Sequence, residues 1–266
     1  MVRVATALVL APVVLALLFV APPWAWATFL CLAAAQVARE ILAMTHPLDP
    51  FARGVGALLA AGVCAASYGA AHDPRLFFSA TLFALTAGAV LPLVRLGDVR
   101  TAALRMLATM SAPLYVGVTL SCLALLRAGA EDEGPRYVLF TLLIAWMADT
   151  GGYTLGRLFG KTKLYEAVSP KKTREGLYGS MLFAVVVSAI ASLTYLPTLP
   201  ITHAALLGFL GAILGQTGDL VESLLKRSTG VKDSGNILPG HGGLFDRVDA
   251  LLFVGPLVYC YWLWLH

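Results

Sequence analysis

Apolar runs long enough to cross a bilayer recur along the whole chain. A helix needs about 20 such residues to span roughly 30 Å of hydrocarbon. Windows of that length pick out about nine candidate spans, near residues 4–21, 24–44, 54–71, 77–95, 102–127, 137–157, 177–196, 203–223 and 249–265. The chain is 59% hydrophobic and only 13% charged over 266 residues, with a mean hydropathy of +0.80. Soluble domains average about 45–50% apolar and about 25% charged, so too few polar residues remain here to cover a water-facing surface. In lipid, backbone groups must bond within their own segment, which favours helices. The expected fold class is all-α: a polytopic integral membrane protein of about nine transmembrane helices. Spans spread over the full length favour one integral membrane domain, residues 1–266.

The N-terminal stretch has the outline of a signal peptide, with Arg3, an apolar run and Ala25-Trp26-Ala27; we read it as the first span. Cys31, Cys64, Cys122 and Cys260 all lie in apolar runs without CxxC spacing, which reads as small buried hydrophobes and not as a disulfide framework or a zinc site.

Charge is clustered. Nine spans put the loops near 45–53, 96–101, 158–176 and 224–248 on the side of the N-terminus. Of the 19 lysines and arginines, only Arg75, Arg127 and Arg136 fall opposite, beside Glu131-Asp132-Glu133. The positive-inside rule then places the N-terminus and both long basic loops in the cytoplasm. The N-terminal spans, 1–136, carry few polar motifs; these concentrate in 137–266.

Asp219 lies late in the eighth span. On a helix, Asp219, Glu222, Ser223 and Lys226 share one face, which belongs against protein and not lipid. Asp246 and Asp249 repeat the i, i+3 spacing at the start of the ninth. Oxygen ligands of this kind suit Mg²⁺. Two plainer readings stay open: an ion pair of Asp219 with Arg247 or Lys226, and Asp246 as a helix cap. Asp149 is an intramembrane carboxylate, either a ligand or a partner for a nearby base. Glu40, beside Arg39 at the end of the second span, reads as an interfacial pair. Ser169, Lys171, Lys172 and Thr173 form a basic, hydroxyl-bearing loop that can hold phosphate or attract anionic headgroups. His241, Gly242 and Gly243 make either an anion-binding nest or a flexible turn.

Ser223-x-x-Lys226-Arg227, Lys232-Asp233 and Pro239-x-His241-Gly242-Gly243-x-x-Asp246-Arg247-x-Asp249 together match, without a gap, the signature of the phosphatidate cytidylyltransferase family. Asp149–Gly160, Ser169–Gly176 and Gly215–Ser223 resemble three further blocks of that family. The resemblance covers the C-terminal half; the first ~130 residues agree only as a hydrophobic multi-span region.

The resemblance implies an enzyme that transfers CMP from CTP to phosphatidate, giving CDP-diacylglycerol and pyrophosphate. It implies residues 137–266 as the catalytic half. Mg²⁺ would be the divalent cation, with K⁺ as a monovalent one, and Asp219 and Asp246 the metal carboxylates. Lys226 and Asp149 would join them in catalysis. Ser169, Lys171, Lys172, Thr173, Ser223, Arg227, Lys232, His241, Gly242, Gly243 and Arg247 would contact substrate. The expected setting is the bacterial inner membrane, with the site facing the cytoplasm, a homodimeric assembly and no nucleic-acid partner. A cytidylyltransferase for another lipid phosphate, such as an isoprenoid ether lipid, is the alternative. A transporter with Asp149 and Asp219 as ion ligands fits less well, since no internal repeat is visible.

Overall fold

The computed structural model describes residues 2–129, 131–237 and 242–265. Its elements run α1 (Val2–Phe19), α2 (Pro23–Thr45), α3 (Pro50–Gly69), α4 (Pro74–Val94) and α5 (Val99–Gly129), then a 3-10 turn (Glu131–Glu133). After these come α6 (Gly134–Phe159), β1 (Lys163–Tyr165), β2 (Ser169–Thr173), α7 (Arg174–Thr194), α8 (Ile201–Ser228), α9 (Phe245–Val248) and α10 (Leu251–Leu265). Every expected span falls on one of the apolar helices α1–α8 and α10. Among the described residues seven of them, α2 to α8, are long and apolar enough to cross a membrane; α10 has only 15 residues. The chain is thus a helical, multi-pass membrane protein.

The helix starts follow from local chemistry. Pro23, Pro50, Pro74 and Pro135 occupy the first helical positions, where a missing N–H costs nothing. Asp49 and Asp73 cap α3 and α4 by accepting from the Ala52 and Arg75 amides. The cysteines form no disulfide among the described residues; Cys64 and Cys122 are buried as expected, whereas Cys31 is half-buried and Cys260 is exposed on α10.

The helices pack into two compact units. The first is Met1–Leu125 with Thr229–Arg247; the second is Leu126–Ser228 with Val248–His266. In the first, α2 packs on α3 and α3 on α4. The buried Trp26 indole donates to the Leu123 carbonyl at 3.2 Å, which ties α2 to α5.

In the second unit α7 lies between α6 and α8, and α10 packs on α6 and α8. Glycines set the spacing. A Cβ on Gly151 would stand 2.3 Å from the Gly179 carbonyl oxygen, and one on Gly179 2.4 Å from that of Gly151. Lipid offers no hydrophobic drive between helices, so such backbone approach is where their packing energy comes from. On α8, Gly208, Gly211, Gly215 and Gly218 recur at helical spacing. Gly208 faces Ala184 of α7; Gly215 faces Ala250 and Val254; Gly218 leaves 2.4 Å between its would-be Cβ and the Asp249 carbonyl oxygen.

The segment read as a basic loop is partly a β-hairpin. β1 and β2 pair antiparallel, Lys163 with Thr173 and Tyr165 with Ser169. Two contacts tie its base to α7. The Glu175 carboxylate accepts the Lys161 and Thr162 amides at 3.2 Å, and Thr173 Oγ1 caps the helix by accepting from the Gly176 amide at 3.1 Å.

Gly179→Val should therefore lower the melting temperature in detergent, through an overpacking cost of about 1–3 kcal/mol. Gly62→Ala, where nothing lies within 4 Å of the added methyl, should leave it unchanged. Thermal unfolding of the two variants checks this.

Candidate active site

Helix α8 brings the acidic residues together. Asp219, Glu222 and Ser223 lie on one face, as their spacing predicts, and Asp249 reaches them from the turn that Gly218 lets close. Carboxylate oxygens of Asp219, Glu222 and Asp249 all lie within 4.8 Å of one another. Asp249 sits between α9 and α10, outside the membrane-crossing helices. Burial first, and then the Asp219 and Asp149 carboxylates, push it up to about 7. Three hard oxygen donors this close suit a divalent cation.

Basic side chains balance the cluster. Lys172 Nζ meets Asp219 Oδ2 at 2.8 Å and donates to Gln216 Oε1 at 2.9 Å. Lys226 Nζ lies 2.9 Å from Glu222 Oε2, an i, i+4 pair whose side chains are only 12% and 4% exposed. Ser223 Oγ donates to Asp219 Oδ1 at 3.3 Å. The ion pair considered for Asp219 was with Arg247 or Lys226; Asp219 pairs with Lys172 of the hairpin instead, and Lys226 pairs with Glu222.

Beside this cluster is a cavity of about 390 Å³ lined by Asp149, Gly152, Tyr153, Gly156, Arg157, Lys171, Lys172, Thr173, Gly176, Gln216 and Asp219. Its floor is the α6–α7 crossing. A Cβ on Gly152 would stand 2.6 Å from Ser180 Oγ, and one on Gly176 2.9 Å from the Gly152 carbonyl oxygen, so larger residues cannot occupy these positions undisturbed. Arg157 Nη1 donates to the Tyr153 hydroxyl at 3.0 Å on the same wall. A second cavity of about 390 Å³, lined by His203, Leu206, Leu257, Tyr261 and their neighbours, is almost wholly apolar and holds none of the candidate residues.

Of the expected residues, Asp149, Lys171, Lys172, Thr173 and Asp219 share the polar cavity. Ser169 opens β2 and pairs with Tyr165. Arg227 is exposed in the last turn of α8. His241 lies outside the described residues.

Lys232, Gly242, Gly243, Asp246 and Arg247 belong to the first unit. Lys232 and Arg247 are exposed there. Gly242 has φ +80°, a left-handed turn that favours glycine. Asp246 Oδ2 accepts from the Ser234 amide at 3.2 Å, the Ser234 hydroxyl at 2.7 Å and the Gly243 amide at 2.9 Å.

Sequence reasoning passed over one group and misread another. Gln216 stands three residues before Asp219, so the same helical face could have revealed it. Glu40 is not an interfacial partner of Arg39. It is 4% exposed, and its carboxylate accepts from the Leu244 amide at 3.0 Å and the Phe245 amide at 2.8 Å.

The chain matches the Cytidylyltransferase family over residues 1–265. Among named relatives, a phosphatidate cytidylyltransferase of Staphylococcus epidermidis is 48% identical over 128 residues, 48% of this chain and 49% of the relative. The Bacillus subtilis protein of the same name is 40% identical over 148 residues, 56% of this chain and 55% of the relative. That of Staphylococcus aureus is 45% identical over 130 residues, 48% and 49%. The chain thus spans about half the length of the relatives it matches. With the match running from end to end of its apolar helices, the chain belongs to the cytidylyltransferase family.

Proposed function

We propose that this protein transfers CMP from CTP to phosphatidate, forming CDP-diacylglycerol and pyrophosphate. The observation that carries the reading is one cavity in which Lys171, Lys172 and Arg157 face Asp149 and Asp219, beside the Asp219–Glu222–Asp249 cluster. The relatives' shared name supports phosphatidate as the acceptor.

In the proposed reaction a phosphate oxygen of phosphatidate attacks the α-phosphorus of CTP. The bond to the β-phosphate breaks, and pyrophosphate leaves. The nucleophile is already ionised near neutral pH, so no strong general base is required. The demand is to bring two anions together and hold them in line. Lys171, Lys172 and Arg157 offset the triphosphate charge, and Thr173, whose oxygen accepts from the Gly176 amide, keeps its hydroxyl proton to donate to a phosphate oxygen. Arg227, Lys232, Arg247, His241, Gly242 and Gly243 keep their proposed substrate contacts on the signature.

Mg²⁺ fits the donor set of Asp219, Glu222 and Asp249, and would supply stabilisation of charge on the leaving group. For Asp246 a metal-carboxylate role rests on the signature, as does K⁺ as a second cation. A homodimer likewise rests on the resemblance. Placement in the inner membrane with the cavity toward the cytoplasm rests on the basic loops and the bacterial relatives.

Purified full-length chain given CTP, phosphatidate and Mg²⁺ should form CDP-diacylglycerol; none, beside an active control enzyme, rejects the reading. Asp219→Ala and Asp246→Ala should each slow turnover at least about 100-fold, at ~1.4 kcal/mol of barrier per tenfold. Lys172→Ala should raise KM for CTP about tenfold, the size expected for one charge-assisted contact.

The cation site has its own measurement. Saturating Mg²⁺ should raise the melting temperature of the detergent-solubilised protein, by a free energy of about 2.7 kcal/mol at 100 times Kd. Asp219→Asn and Asp249→Asn should each remove most of that rise. A full rise in both variants places the cation elsewhere.

A further inference from the structure

Glu40, near the end of α2, holds part of a loop some 200 residues away in sequence. Oε1 accepts from Gln36 Nε2 at 2.8 Å and from the Leu244 amide at 3.0 Å. Oε2 accepts from the Phe245 amide at 2.8 Å and lies 3.2 Å from Ser234 Oγ. The Ser234 hydroxyl has a single proton, and its shorter contact, 2.7 Å, is with Asp246 Oδ2. Ser234 therefore stands between two carboxylates. The backbone closes in on both. A Cβ on Gly235 would stand 3.0 Å from Glu40 Oε1, and one on Gly243 2.5 Å from Glu40 Oε2 and 2.0 Å from Ser234 Oγ.

A carboxylate is an acceptor only, and burying one without donors is costly. Here the donors come from the loop itself. Removing Glu40 leaves the Leu244 and Phe245 amides without this acceptor, and they flank the turn from which Asp246 projects.

We propose that Glu40 is a positioning residue for nucleotidyl transfer: it fixes Ser234 and Gly243–Phe245, and through them the Asp246 carboxylate. The inference rests on the catalytic reading of Asp246 given above. It assigns the N-terminal spans a direct part in shaping the signature loop.

The test uses the full-length chain in detergent carrying Glu40→Gln, which keeps the shape but turns an –NH₂ toward N–H donors. Amide hydrogen exchange is read peptide by peptide. Exchange at Ser234 and Gly243–Phe245 should accelerate about tenfold or more, the scale of a lost hydrogen bond to a charged group. Exchange in α6, α7 and α8 should be unchanged. In the assay, kcat should fall about tenfold or more and the Mg²⁺ concentration for half-maximal rate should rise, while KM for phosphatidate stays within about twofold.

Wild-type exchange at these amides overturns the proposal. So does acceleration spread equally over all helices, which marks a general structural role, and so does a wild-type rate. Should Glu40→Gln fail to fold, Gly243→Ala breaks the same contact from the loop side and is judged by the same readouts. If the wild-type chain makes no CDP-diacylglycerol, the functional reading falls, and hydrogen exchange alone still decides whether Glu40 fixes the loop.

Discussion

Carboxylates gathered inside a membrane protein repel one another and lose hydration, and the second unit is arranged around that cost. Asp219, Glu222 and Asp249 crowd within 4.8 Å. At such separations in a poorly polarisable surrounding, unlike charge nearby offsets part of that repulsion. Lys172 and Lys226 supply it at 2.8 and 2.9 Å. Neither pair is a source of stability in itself, because desolvation consumes much of the attraction. Their worth lies in keeping a charged cluster available to a ligand of opposite sign.

Glycine makes the crowding geometrically possible. Without side chains at Gly215 and Gly218, the turn carrying Asp249 can close on α8. Without them at Gly151, Gly152, Gly176 and Gly179, α6 and α7 cross backbone to backbone, which sets Asp149 and Arg157 on one wall of the cavity and Lys172 on another. The hairpin brings Lys171 and Lys172 to the cavity. Its first end is fastened through Glu175 and its second through the Thr173 cap.

Much of this was legible in the amino-acid sequence, for reasons that separate local from distant effects. Apolar run length marked every long helix, since bilayer thickness fixes it. Helical periodicity put Asp219, Glu222, Ser223 and Lys226 on one face, and the structure repeats that arrangement in two i, i+4 contacts. Fixed polar positions drew attention to Lys171, Lys172 and Thr173. What stayed hidden depends on which helix packs on which. Nothing near Asp219 names Lys172, 47 positions earlier, as its partner, and the hairpin emerges only once Glu175 folds back on Lys161 and Thr162. Glu40 was the hardest, because a carboxylate next to an arginine at a span end looks like an ordinary surface pair. Its amide partners are backbone groups, which no residue type announces.

The long reach of Glu40 also bears on how such a protein can be cut or recombined. Had α2 been no more than an anchor, any apolar helix of similar length could replace it. A chain beginning at Gly134 would instead carry the Leu244 and Phe245 amides without the acceptor that α2 now provides. A chimera that imported its leading helices from an unrelated membrane protein would inherit the same defect, unless the graft happened to bring an acidic side chain to that depth and bearing. Helix α2 thus supplies an acceptor that two amides near the end of the polypeptide use.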